Sequence, residues 1–130
     1  MGKCKGIIMD YQAFLTRVID DGIVAAKVDY AKPEDNSQLR GSVEGFELCR
    51  GKQPAELRTI YDEANRIASE KALAHAEDYW FWRCRELEVE WVCNMVSAVI
   101  MNEGKPPLLS HLPTARAVIK AAEIVGVAHG

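Results

Sequence analysis

With 130 residues, 48% apolar and 27% charged, the chain is long enough for one buried core and too apolar to be disordered throughout. Its net charge of -3 excludes the basic excess that nonspecific nucleic-acid binding needs. No apolar run reaches the roughly 18 residues of a membrane span. The first residues have two lysines but neither the longer apolar region nor the cleavage site of a secretory signal. Residues 1–9 are therefore expected to be a disordered or extension segment, with Met9 an alternative start. Residues 10–130 are expected to form a single cytoplasmic helical domain. Cys4, Cys49, Cys84 and Cys93 never form a C-x-x-C pair, so buried free thiols are expected rather than disulfides or a zinc site.

Asp10 has the chemistry of an N-cap, with Met9 and Phe14 spaced for a hydrophobic staple. Tyr11, Phe14, Leu15, Val18, Ala25 and Val28 follow at helical steps and predict one buried stripe, on which Gly22 either permits close approach of another helix or marks a bend after Asp20-Asp21. Residues 32–36 read as a turn. A helix over about 37–50 has Leu39, Val43, Phe46 and Cys49 inside, although Gly41 and Gly45 each cost it about 1 kcal/mol relative to Ala. Gly51 stops it, and Gln53-Pro54-Ala55-Glu56 starts the next, with Pro at the first helical position.

Neither Gly nor Pro occurs from 55 to 103. The pattern therefore predicts one long central helix over about 55–103, roughly 73 Å if straight. Leu57, Ile60, Tyr61, Ala64, Ile67 and Ala68 share one side. Leu73, Ala76, Trp80, Cys84, Leu87, Trp91, Met95 and Ala98 form a stripe centred about 160° away. Either the helix packs on different partners at its two ends, or it breaks near residues 69–71. A second row of Phe81, Val89, Val92, Val96 and Val99 leaves only a polar wedge of Arg83, Glu86, Glu90 and Ser97. A helix apolar around most of its circumference lies at the centre of a bundle or inside an oligomer. A short terminal helix over about 114–125 completes an all-α bundle of four or five helices, expected to assemble as a homodimer or larger homo-oligomer.

Four consecutive aromatics, Tyr79-Trp80-Phe81-Trp82, point in four directions from a helix, beside Arg83 and Arg85. Tyr79, Phe81, Trp82, Arg83 and Arg85 are the candidate partner-binding residues, because aromatics and arginines anchor protein interfaces. The leading expectation is a non-enzymatic binding or adaptor protein acting through helical surfaces on itself and on another protein partner, without a cofactor and without a membrane. Trp82, Arg83 and Arg85 could alternatively stack and neutralise nucleic acid in a small regulator.

Glu44 and Glu47, at i and i+3, put two carboxylates on one helix face, a geometry suited to Mg²⁺. This Glu-x-x-Glu resembles the first half of the motif of MazG-like nucleotide pyrophosphohydrolases, and the resemblance implies a metal-dependent helical enzyme with Glu44 and Glu47 as ligands. That family needs a second pair, Glu-x-x-Asp, on a following helix. Here Glu77 is followed at that spacing by Trp80. His75, His111 and His129 are isolated, and no Ser or Cys carries an activated-nucleophile signature. No catalytic residue is expected.

Overall fold

The computed structural model describes residues 10–31 and 36–129, with side chains through residue 126. The extension over 1–9, the Met9 half of the staple and most of the turn at 32–36 lie outside the described residues. Five α-helices follow in order: α1 Tyr11–Asp29, α2 Ser37–Cys49, α3 Pro54–Leu73, α4 Tyr79–Ile100 and α5 Ala115–His129. A 3-10 turn, Met101–Glu103, ends α4, and no strand occurs among the described residues. The start signals act as their chemistry requires. Asp10 accepts from the Ala13 N–H at 3.0 Å, Glu56 from the Gln53 N–H at 2.8 Å, and the Thr114 hydroxyl from the Ala117 N–H at 3.2 Å.

The fold is an all-α bundle around α4, which touches each of the other four helices. Its core joins Leu15 and Ile19 of α1, Phe46 and Cys49 of α2, Leu57 of α3, Val89, Val92 and Val96 of α4, and Ala117 and Ala121 of α5.

The expected single helix over 55–103 is divided. α3 stops at Leu73 and α4 starts at Tyr79. The stop needs neither Gly nor Pro. The Ala76 N–H bonds to the Lys71 carbonyl at 3.0 Å and the His75 N–H to the Ala72 carbonyl at 3.2 Å, the paired bonds of a Schellman cap. Such a cap turns on a left-handed residue, here His75 at φ 50°. Glycine usually fills this position, but His is enriched there among the other residues. The chain then reverses. Asn65 meets Glu86 and Leu57 meets Cys93, so α3 and α4 are antiparallel. The two stripes that point to opposite sides of one straight helix both point inward in this hairpin. Leu73 and Trp80 leave the buried stripe, being 84% and 54% exposed. Their helical phase is a coincidence carried across residues that are not helical.

The glycines that weaken α2 are where α2 approaches α4 most closely. Gly41 lies on the Phe81 carbonyl and Gly45 on the Arg85 carbonyl, and a Cβ at either would overlap the oxygen. Gly22 likewise admits the Phe46 ring against α1. The loss in helix propensity is thus offset by backbone-to-backbone packing that only glycine allows.

The polar wedge of α4 is a seam rather than a solvated face. Glu86, 3% exposed, accepts from Asn65 at 2.6 Å and pairs with Arg83. The Ser97 hydroxyl, also buried, accepts from the Leu108 N–H at 2.8 Å, while Arg58 donates to the Leu108 carbonyl at 2.8 Å. Glu90 stands 3.7 Å from His111. One polar row therefore satisfies α3 at one end and the connection to α5 at the other.

Chemical denaturation separates these packing terms. Gly45→Ala is expected to lose about 2 kcal/mol despite the better helix propensity of Ala, because it overpacks against backbone. Gly126→Ala, with open space around it, is expected to gain up to about 1 kcal/mol. His75→Gly is expected to gain about 1 kcal/mol by removing the Cβ penalty of the left-handed turn. A neutral Gly45→Ala would contradict the close α2–α4 contact.

Candidate functional site

The reversal between α3 and α4 builds an aromatic corner. Asp78 sits at its centre, accepting from the Trp82 indole N–H at 2.8 Å and from Lys71 at 3.4 Å. The Trp82 N–H, and after it Lys71, hold the Asp78 carboxyl below its usual range. The Trp82 ring lies 5.1 Å from the Arg85 guanidinium and 5.4 Å from the Lys71 ammonium. Phe81 meets Trp82 edge-on at 5.0 Å, and Tyr79 meets Trp80 in the same way at 5.0 Å.

The five candidate residues therefore divide. Trp82, Phe81 and Arg85 are woven into the fold, Arg85 being buried and donating to Glu44 at 2.9 Å. Arg83 turns inward to Glu86. Tyr79 is half-buried and stays beside Trp80 at the surface. Tyr79 and Trp80 line a shallow groove there of about 330 Å³ with Lys71, Ala72, His75 and Ala76, and Leu73 is exposed at the end of α3. Leu73 carries no sequence signal as a surface residue, because its position continues an apolar stripe.

Glu44 and Glu47 share one face of α2, as the spacing predicts, but each has its own arginine. Glu44 takes Arg85, and Glu47 takes Arg50 at 2.7 Å, which also reaches Asp20 at 2.9 Å. The Arg50 hydrogen bond lowers the Glu47 carboxyl from its ordinary value. Among the described residues no group of three or more His, Cys, Asp or Glu side chains is placed to hold a metal ion.

A second feature is a half-open cleft of about 650 Å³ between α1, α4 and α5. Phe46, Leu87, Trp91 and Met95 give it apolar walls. Glu88 also lines it and accepts from the Ser42 hydroxyl at 2.9 Å. Burial pushes the Glu88 carboxyl above its ordinary value, against the pull of that hydroxyl. Glu88 is one step from Cys84 and Trp91 on the apolar stripe, and a carboxylate in that register is the signal that alternation with Leu87 and Val89 obscures.

Cys49, Cys84 and Cys93 are buried and free. Burial raises all three thiols, Cys93 to about 12, so Cys84 beside its two arginines stays protonated rather than activated. No helix among the described residues is long and apolar enough to cross a membrane. Comparison with protein-family models, with curated proteins and with solved structures returns no match.

The tryptophans separate surface from scaffold. Trp80→Ala is expected to change stability by less than about 1 kcal/mol, as an exposed substitution. Trp82→Ala is expected to cost about 2 kcal/mol, since it removes an indole hydrogen bond and two cation contacts. Equal losses at the two positions in urea unfolding would contradict the division of the aromatic cluster.

Proposed function

We propose that the protein is a cytoplasmic, non-enzymatic binding protein that meets a protein partner through the α3–α4 corner, a second copy of the chain being the simplest such partner. The observation that carries this reading is the exposure of Leu73 and Trp80, 84% and 54%, on either side of a turn fixed by the Schellman cap and by Asp78, with Tyr79 against Trp80. Large apolar side chains held rigidly at a surface lose little entropy on association, and Trp and Tyr are the residues on which interface energy concentrates. Self-association through this corner does not need the apolar faces of α4, which α1, α2, α3 and α5 cover within one chain.

The test compares the full chain with a Leu73→Ser/Trp80→Ser variant. Sedimentation is expected to show concentration-dependent association of the wild-type chain that the variant lacks. Affinity capture from the native host is expected to yield a set of proteins that the variant fails to retain. If wild type and variant sediment alike and retain the same proteins, while circular dichroism shows both folded, the corner is not the binding surface.

A further inference from the structure

We propose that the cleft between α1, α4 and α5 binds a small organic amine, with the ammonium on the Glu88 carboxylate and the apolar body against Phe46, Leu87 and Trp91. Its volume, about 650 Å³, falls within the range of about 300–1,000 Å³ in which small-molecule sites occur. Such sites combine apolar and aromatic walls with a few polar groups that fix orientation. The cleft has that composition.

The choice of a cation follows from the charges that line the cleft. Arg17 is held by Asp21 at 2.8 Å and Lys120 by Glu123 at 3.5 Å, so these four rim charges cancel in pairs. Three remain: Glu88, Asp29 and Arg116. None of the three has an ion-pair partner within 4 Å among the described residues. Arg116 stands over the Trp91 ring at 5.4 Å. The balance left is two carboxylates against one guanidinium: Asp29 repels the Glu88 carboxylate and Arg116 attracts it, which leaves the cleft one negative charge in excess.

Glu88 has one oxygen on the Ser42 hydroxyl, and a carboxylate with one neutral donor can still accept a charged one. A half-buried carboxylate so placed carries a desolvation cost in the folded protein and is relieved by a cation that brings its own hydrogen-bond donors. An anionic ligand would meet two carboxylates against the single guanidinium of Arg116.

The probes are phenethylamine and 3-phenylpropionate, which share a phenylethyl body and differ in the sign of the terminal charge. In amide chemical-shift titrations of the full chain, phenethylamine is expected to give saturable shifts at millimolar concentration, centred on residues lining the cleft. 3-Phenylpropionate is expected to give none. Glu88→Gln is expected to weaken amine binding by about tenfold or more, the worth of one charged hydrogen bond. Its melting temperature is expected to be no lower than wild type, because an amide can still accept from Ser42 and no charge is buried.

Asp29→Asn, at the exposed end of α1, is expected to weaken binding by a smaller factor and serves if Glu88→Gln does not fold. Trp80→Ser is expected to leave amine binding unchanged, since the cleft and the corner share no residue. The proposal therefore stands or falls independently of the corner. Absence of saturable shifts, equal binding of the two probes, or unchanged amine affinity in the carboxylate variants would overturn it.

Discussion

Everything in this protein depends on covering α4. A helix with two apolar rows and one polar row has no face to leave in water, so every side needs a neighbour. Val89, Val92, Cys93 and Val96 are fully buried, and α1, α2, α3 and α5 each contribute to the enclosure. The reversal at His75 matters because it returns α3 along α4, where a continuous helix would have carried that surface away. Gly41 and Gly45 matter because they let α2 approach to backbone contact. A turn residue and two glycines thus complete a core that their own helix propensities would not suggest.

Most of the helical architecture is legible in the residues. Asp10, and Pro54 with Glu56, mark starts by the physical chemistry of caps, and each does so in the structure. Helical phase also places Leu57, Ala64 and Ala68 inside. The opposed stripes raise a break near residues 69–71 as an alternative, but its place is not legible, because a Schellman cap on His75 involves neither of the residues that ordinarily advertise one. That omission propagates to Leu73 and Trp80, whose apparent stripe belongs to a helix that does not continue. The wedge of Arg83, Glu86, Glu90 and Ser97 is legible as polar but not as buried, since its partners Asn65 and Leu108 are joined to it only by the fold.

The candidate sites show the same pattern. The aromatic run is conspicuous in the sequence, yet its members have different work: Trp82 ties α3 to α4 through Asp78 and Lys71, and Trp80 stays outside. Arg85 and Arg83, which invite comparison with a phosphate-binding face, turn to Glu44 and Glu86. Glu88, by contrast, is inconspicuous among alternating carboxylates and becomes distinctive only when α1 and α5 close around it. Residues that break the local rule of their element, an exposed Trp beside a turn and a carboxylate on an apolar stripe, mark places where stability alone does not account for the choice.

The hairpin of α3 and α4 is the claim on which the enclosure rests, and a distance measurement reads it directly. Nitroxide labels at the exposed positions Glu56 and Asn102, in a Cys4→Ser background, leave the buried native thiols unlabelled under native conditions. Pulsed electron resonance on the chain diluted with unlabelled protein then reports the separation within one molecule. An antiparallel hairpin predicts a separation below about 30 Å, from a rise of 1.5 Å per residue and neighbouring helix axes about 10 Å apart. A distribution centred near about 69 Å, the length of 46 residues of continuous helix, would contradict it.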